Sequence, residues 1–317
     1  MKTHNSAHTF TSQKGTVVTI GTFDGLHLGH RKIINRINES ARANGWESCV
    51  LTFFPHPRMV LQKDTSLKLI NTIAEREQLL ESLDLDHLVI HPFTLDFSRY
   101  HAETFVEEIL VNSLNAKKVI IGYDHRFGRN RNANIEDLKR FGKTLGFEVE
   151  EISKQELEDV AISSTKVRKA LVSGNVALAN SYLSAPFMLN GVVVKGKSLG
   201  RTIGYPTANL EIAEDYKLIP AQGVYVAKAI INGKPVFGMM NIGTNPTVGG
   251  EKQTIETYFF DFDENLYGQQ LEIQLLERIR EEKTFDTIDE LVAAMKTDEK
   301  FSRNYIANLE KSNSQNA

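Results

Sequence analysis

Hydrophobic residues in the first half of the chain follow two alternating patterns. Short apolar runs, typical of buried strands, recur at 16–20, 48–54, 87–90, 118–121 and 147–152. Between them, apolar residues at three- and four-residue spacing predict helices that include 73–83, 102–114 and 135–145. Strands that alternate with helices form βαβ units, so the pattern predicts an α/β domain with a parallel, doubly wound sheet.

The pattern changes near Pro186. From there on, turn signals such as Asn232-Gly233 separate short apolar or alternating runs at 188–194, 224–231, 236–242, 255–260 and 271–279. This spacing predicts an antiparallel sheet that closes into a small β-barrel. A last helix is expected to begin near Thr287, because Thr287 and Glu290 have capping-box spacing. We therefore predict two domains, residues 1–185 and 186–317.

Composition indicates which partners and which cellular location to expect for these domains. The formal charge of −3 gives no basic footprint, so we expect no nucleic-acid partner. The single cysteine, Cys49, lies in an apolar run and is expected to be a small buried residue. The chain has no apolar run of about 20 residues and no apolar centre of a signal peptide near Met1. We expect no membrane partner, a cytoplasmic location, and a monomer or weak homo-oligomer.

The most informative motif is Gly-Thr-Phe-Asp-Gly-Leu-His-Leu-Gly-His at residues 21–30, directly after the first predicted strand. A strand-to-helix junction points backbone N–H groups at an anion, and Gly29 lets phosphate oxygens approach the main chain. The side chains of His27 and His30 can stabilise charge that grows during displacement at phosphorus. The motif resembles the H-x-G-H signature of nucleotidylyltransferases. The competing interpretation is a glycine turn flanked by surface histidines.

Three further loops follow predicted strands or open a helix. Residues 53–58 end a strand, where Phe54 is either a stacking ring or a core residue, and His56 can reach a phosphate. The loop 122–129 offers a hydrogen-bonding carboxylate in Asp124 and a cation in Arg126, or is a solvated arginine-rich loop. Residues 162–168 suit a helix N-terminus, and the same hydroxyls suit triphosphate oxygens.

These strings, in this order, resemble the N-terminal module of bacterial bifunctional riboflavin kinase/FAD synthetases. The resemblance implies adenylyl transfer from ATP to FMN, giving FAD and pyrophosphate, with Mg²⁺ escorting the ATP phosphates. It implies His27 and His30 as catalytic residues and flavin binding by Phe54, His56, Asp124 and Arg126. The residues implied for ATP binding are Gly21, Phe23, Asp24, Gly29, Ser163, Ser164, Thr165 and Arg168. His125 departs from the family, which often has an aromatic residue there, and this puts the local packing around Asp124 in doubt.

The second domain carries a cationic, glycine-containing loop followed by Gly-Tyr-Pro-Thr-Ala-Asn at 204–209. No Walker A spacing is present. Thr207 and Asn209 are two residues apart, so on a strand they face the same side and offer hard oxygen ligands for Mg²⁺. The alternative is a polar turn after Pro206.

The 204–209 string, Asn241-Ile242-Gly243 and the segment 280–285 resemble riboflavin kinases. The resemblance implies that Glu256 is the general base towards the ribityl hydroxyl of riboflavin; a salt-bridged surface glutamate is the alternative. Tyr258 stands where the family usually has histidine, so the barrel face there is expected to pack differently. Flavin contacts are implied for Arg280 and Phe285. The residues implied for ATP binding are Gly196, Lys197, Gly200, Arg201, Pro206 and Thr207.

Three hypotheses follow from these motifs. The first is a bifunctional enzyme that makes FMN from riboflavin and ATP, then FAD from FMN and ATP. In the second, only one module is active. In the third, the chain is a flavin-binding regulator without turnover, which would not need His27, His30, Thr207, Asn209 and Glu256 together. Nucleotidylyltransferases that act on other acceptors share the first motif but lack the kinase-like barrel.

Overall fold

The computed structural model describes residues 1–64, 66–123, 125–153, 162–196, 199–247 and 250–315. By their contacts, the residues form two compact units, Met1–Ser164 and Thr165–Ala317. Residues 165–185 thus fall in the second unit, whereas the sequence-based division places them in the first domain. The predicted boundary after residue 185 stays a prediction about the extent of the functional domains.

The first unit is built on a six-stranded sheet in which all neighbouring strands are parallel, in the order β1-β4-β3-β2-β5-β6. The strands are β1 (Lys2–His4), β2 (Thr16–Ile20), β3 (Glu47–Phe54), β4 (His87–Pro92), β5 (Ala116–Gly122) and β6 (Glu148–Ile152). The prediction of a parallel sheet is confirmed. The sequence pattern missed β1, because three residues at a sheet edge carry no periodicity.

Helices cover both faces of this sheet. They are α1 (Leu28–Asn44), α2 (Pro57–Leu61), α3 (Ile73–Glu81), α4 (Ala102–Thr104) and α5 (Ile135–Leu145). After α4 the chain continues in wide π-type turns over Phe105–Ser113. Side chains that alternate along a strand point to opposite faces, so Val17 packs with α1 and Val18 packs with the π-type turns. Cys49 is buried in the same core as Val18, as predicted, and burial raises the pKa of its thiol.

The strand order reverses between β2 and β5. From β2 the chain proceeds to β3 and β4 on one side, and it reaches β5 and β6 on the other. In open parallel sheets, ligands bind beyond the carboxyl ends of the strands at such a reversal. The loop after β2, which carries the H-x-G-H motif, begins at this point.

The second unit contains a closed barrel in the order β10-β11-β8-β7-β12-β9, with every neighbouring pair antiparallel. The strands are β7 (Phe187–Val194), β8 (Ala208–Glu211), β9 (Gly223–Ile231), β10 (Lys234–Thr247), β11 (Gly250–Phe259) and β12 (Gln270–Arg280). The barrel confirms the prediction from the spacing of the apolar runs.

Four helices accompany the barrel strands: α6 (Ser164–Val172), α7 (Val176–Leu183), α8 (Leu199–Thr202) and α9 (Ile288–Gln315). Helix α7 is fixed to the barrel because Asn180 Nδ2 donates to Leu275 O at 2.8 Å. Helix α9 begins as predicted, and Thr287 Oγ1 accepts a hydrogen bond from Glu290 N at 3.2 Å. The reciprocal bond of the capping box goes to Asp286 N instead, 3.1 Å from Glu290 Oε2.

Candidate active sites

The H-x-G-H motif lies where β2 passes into α1. His27 is the residue before the helix, and its side chain makes no capping hydrogen bond. The first turn of α1 has no acidic residue, so nothing on it repels an incoming anion. A Cβ atom on Gly29 would lie 3.3 Å from the ring of His27, so glycine lets the imidazole lie against the helix backbone. The junction thus presents a helix N-terminus beside an imidazole.

The two histidines of the motif are stacked. Their ring centroids are 3.8 Å apart with the planes inclined by 21°, and the ring of Phe23 lies 5.0 Å from that of His30. The Nδ1 atoms of both histidines are buried and have no hydrogen-bond partner among the residues that the structure describes. Buried polar atoms without a partner are costly unless a ligand satisfies them. These two nitrogens are therefore candidates for phosphate contacts.

Burial sets the charge state of both rings. It lowers the pKa of His27 to about 4, although the nearby Asp24 carboxylate acts in the opposite direction. Burial lowers the pKa of His30 well below its usual value, with smaller contributions in the same direction from His27 and Arg76. Both imidazoles are thus neutral near pH 7. A negatively charged phosphate placed against them would favour the protonated form.

Asp24 is enclosed by protein groups. Its side chain is 1% exposed, its Oδ1 accepts from Asn71 N at 3.1 Å, and Arg76 NH2 lies 3.8 Å away. Ser164 Oγ donates to the backbone oxygen of Asp24 at 2.8 Å. The prediction that Asp24 contacts ATP directly does not fit this burial. Asp24 and Ser164 hold the loop that carries Phe23. Contact of Ser164 with ATP stays a prediction.

The remaining residues predicted for the first site lie on several separate segments of the chain. Gly21 N donates to Leu51 O at 3.1 Å, and Phe54 is half-buried at the end of β3. His56 Nδ1 accepts from Arg58 N at 3.2 Å, so this nitrogen caps α2. Arg126 and Ser163 are exposed. Thr165 and Arg168 lie on α6, in the second compact unit.

Asp124 lies outside the described residues. Beside it, His125 is stacked on Phe127 with ring centroids 6.4 Å apart and an interplanar angle of 21°. The histidine ring thus packs on an aromatic ring, at the position where the family often has an aromatic residue.

The second unit brings the predicted kinase residues together. Thr207 Oγ1 donates a hydrogen bond to Glu256 Oε2 at 3.0 Å. Asn209 on β8 is directly opposite Glu256 on β11. Residues paired across neighbouring strands share one face of a sheet, so Asn209 and Glu256 lie side by side. A hydroxyl, an amide and a carboxylate are thus grouped on one face of the barrel.

The glycine-containing loop before α8 closes onto the same strand. A Cβ atom on Gly196 would lie 2.3 Å from Asn209 Nδ2, so a larger residue there would displace the Asn209 amide from the loop backbone. Gly200 O accepts from Tyr205 N at 2.8 Å. Arg201 and Pro206 are exposed beside it. Lys197 lies outside the described residues.

Of the two residues predicted to contact flavin in the kinase, Arg280 is paired with the last helix, and the contact of Phe285 stays a prediction. The Arg280 guanidinium is bound by Asp298 on α9, with Nε–Oδ1 3.0 Å and NH2–Oδ2 2.8 Å. The centre of the half-buried Phe285 ring is 5.6 Å from the same guanidinium. The positive charge of Arg280 is thus paired with Asp298 of α9. This pairing does not favour a direct contact between the guanidinium and a flavin.

Tyr258, which replaces the family's histidine, packs among aromatic rings. Its ring meets Tyr205 edge-on at 4.9 Å and Phe260 at 5.7 Å. These rings belong to an apolar cluster that includes Met295 and Ile306 of α9. Tyr205 OH also donates to Glu299 Oε2 at 3.4 Å. The face of the barrel next to Glu256 is therefore packed against the last helix.

Sequence reasoning missed several residues that complete these sites. Asn241 on β10 is directly opposite Glu256, so it shares the face with Asn209. Its presence in the Asn241-Ile242-Gly243 string was the available signal. Arg76, Asp298 and Glu299 are charged residues of helices, and their patterns alone are typical of solvated faces.

Comparison with known proteins gives concordant results. The model of the FAD synthetase family matches residues 9–166, and that of the riboflavin kinase family matches residues 183–306. A bifunctional riboflavin kinase/FMN adenylyltransferase of Listeria monocytogenes is 35% identical, covering 98% of this chain and 100% of its own length. The Escherichia coli protein of the same description is 36% identical, covering 92% of this chain and 93% of its own.

Among solved structures, a Streptococcus pneumoniae protein described as a macrolide-efflux protein has the same fold over nearly its whole length. The TM-score is 0.86 at 35% identity, with 96% of this chain and 98% of that chain covered. Within the described parts of the present chain, every helix is too short or too polar to cross a membrane.

Proposed function

The chain belongs to the family of bifunctional riboflavin kinase/FMN adenylyltransferases, and we propose which of its residues carry the two reactions of that family. It phosphorylates riboflavin with ATP to give FMN, and it transfers the adenylyl group of a second ATP to FMN, giving FAD and pyrophosphate. The observation that carries the assignment is that each predicted pair lies together in its own unit: His27 with His30, and Thr207 with Glu256.

For adenylyl transfer, we propose that the triphosphate binds at the N-terminus of α1 against His27 and His30. The buried Nδ1 atoms of these residues support this placement, since a phosphate oxygen would satisfy them. Positioning and stabilisation of the developing charge then carry the rate. We propose that Gly21, Phe23 and Gly29 line the ATP site, and that Ser163, Thr165 and Arg168 contact ATP. We propose that FMN is held by Phe54, His56, Asp124 and Arg126.

For phosphoryl transfer, we propose Glu256 as the base that accepts the proton of the ribityl hydroxyl. The hydrogen bond from Thr207 orients one carboxylate oxygen and leaves the second for the substrate hydroxyl. We propose ATP binding by the loop residues Gly196, Lys197, Gly200, Arg201 and Pro206. We keep Phe285 as a proposed flavin contact, and we propose that Arg280, bound to Asp298, positions the segment that carries Phe285.

Mg²⁺ is the metal that we propose for the kinase reaction, and the residues present fit it. The Thr207 hydroxyl can offer a lone pair to the metal while its hydrogen points at Glu256. The Asn209 amide oxygen is a second hard ligand, and ATP phosphates and water would complete the shell. Among the described residues, no three His, Cys, Asp or Glu side chains are grouped to hold a metal ion. When bound, Mg²⁺ neutralises charge on the transferring phosphoryl group.

Chromatography of the flavins formed from riboflavin, ATP and Mg²⁺ tests the assignment. The variant His30→Ala should accumulate FMN and form no FAD. The variant Glu256→Ala should form no FMN but should convert added FMN to FAD. Loss of both steps in either variant would contradict separate sites, and flavin binding without ATP consumption would favour the regulator. A cytoplasmic location and a monomeric or weakly associating state stay proposals.

A further inference from the structure

Arg76 of α3 is a buried cation behind the H-x-G-H loop. The residue is 1% exposed, so it cannot touch a substrate directly. Its NH1 donates to Thr52 Oγ1 at 3.3 Å, and Thr52 Oγ1 in turn donates to Thr22 O at 3.2 Å. Its NH2 lies 3.8 Å from Asp24 Oδ1. One guanidinium thus reaches both Thr22 and Asp24, the two neighbours of Phe23.

The backbone of this loop needs such support. Phe23 has φ of 46°, in the left-handed region that non-glycine residues rarely adopt. Residues held in such conformations persist only where the surrounding structure fixes them. The contacts on Thr22 and Asp24 fix the chain on both sides of Phe23, and its ring packs on His30. A continuous chain of contacts thus leads from Arg76 through the residues around Phe23 to the ring of His30.

The ion pair of Asp24 and Arg76 also acts unequally on the two histidines. The carboxylate favours the protonated form of His27, whereas the guanidinium disfavours that of His30. Because the two rings are stacked, they are not expected to carry positive charge together. The arrangement favours His27 as the imidazole that gains charge when phosphate binds.

We propose that Arg76 is a positioning residue for adenylyl transfer, which fixes the loop 21–25 and through it the stacked pair of His27 and His30. The inference rests on the proposed placement of ATP at these histidines. It adds a residue from a separate helix that touches neither substrate.

The test measures conversion of FMN to FAD in Arg76→Gln and Arg76→Lys, with formation of FMN from riboflavin as the internal control. Arg76→Gln should lower kcat for FAD formation by about 100-fold, as expected for a small misplacement of reacting groups. Arg76→Lys should recover part of this loss, because it keeps a buried donor and charge. The matched control is Arg42→Gln, which removes an exposed arginine 3.7 Å from Asp84.

A double variant separates positioning from simple charge balance. Asp24→Asn with Arg76→Gln removes both buried charges, so folding no longer suffers from an unpaired carboxylate. Under the proposal this variant folds but remains slow, and the imidazole NMR signals of His27 and His30 move from their wild-type positions. Wild-type kcat in Arg76→Gln, or full recovery in the double variant, would overturn the inference. If His30→Ala still forms FAD, the proposed site itself fails instead.

Discussion

Asp298 on the last helix binds Arg280 at the end of β12 through both of its carboxylate oxygens, at 2.8 to 3.1 Å. The carboxylate is 4% exposed and the guanidinium 20%. The next residue, Glu299, accepts from Tyr205 OH and from Arg303 Nε. Two consecutive acidic residues of α9 thus bind the end of β12 and the segment just before β8, which contains Tyr205 and Thr207.

The first prediction concerns this tie. Asp298→Asn should lower the free energy of unfolding of the second unit by about 2–3 kcal/mol, since it leaves a mostly buried guanidinium without its counter-charge. FMN formation should fall as well, because Arg280 leads into the segment with Phe285. Urea unfolding followed by kinase activity measures both effects. The exposed Asp263 provides the control, and equal effects of Asp263→Asn and Asp298→Asn would contradict the prediction.

The second prediction concerns Glu256 as a base. Glu256→Gln keeps an acceptor for the Thr207 hydroxyl but cannot take a proton, so kcat for FMN formation should fall by roughly 10²–10⁴-fold. Conversion of added FMN to FAD should stay at the wild-type rate. Flavin chromatography with riboflavin or FMN as the starting substrate separates the two steps. A kinase rate within a factor of two of wild type would remove Glu256 from this role.

The fold was predictable because its elements carry strong local signals. Helix α5 has the predicted bounds 135–145, and its caps, Asn134 and Gly146, are typical of helix ends. The paired residues Thr207 and Glu256 could be predicted only from motif resemblance, since 49 residues separate them. Arg76 and Asp298 gave no signal at all. A charged residue on an amphipathic helix is typical of a solvated face, and only tertiary packing buries it.

The third prediction concerns the metal at Thr207 and Asn209. Thr207→Val removes both the hydroxyl ligand and the hydrogen bond to Glu256, so the Mg²⁺ concentration for half-maximal FMN formation should rise about tenfold. Thr207→Ser keeps the hydroxyl and should stay near wild type. Asn209→Ala should raise the Mg²⁺ requirement without removing the contact between Thr207 and Glu256. Unchanged Mg²⁺ curves in Thr207→Val and Asn209→Ala would exclude these side chains as ligands.

The last prediction concerns acid. All 9 histidines of the chain lie between His4 and His125, and the unit Thr165–Ala317 has none. Burial lowers the pKa of His27 and His91 to about 4 and also lowers the pKa of His4 and His30. Near pH 5 the side chains of His27 and His91 therefore stay neutral in the folded unit, whereas the unfolded chain binds protons at the ordinary pKa of about 6.5. The free energy of unfolding of the first unit is therefore highest above pH 6.5 and falls as the pH drops towards 4.

The first unit should accordingly lose stability between pH 6.5 and 5, while the second unit should change little. Trp46, the single tryptophan, lies in the first unit, so its fluorescence in urea reports the unfolding of that unit. Each imidazole whose pKa is lowered to about 4 can reduce the free energy of unfolding by at most about 3 kcal/mol. The full loss is reached only when the pH falls below 4. His27→Gln with His91→Gln should flatten the pH dependence of the Trp46 midpoint, whereas the exposed His101→Gln should not. A midpoint that stays constant from pH 7 to 5 in the wild type would contradict the burial of neutral histidines in this unit.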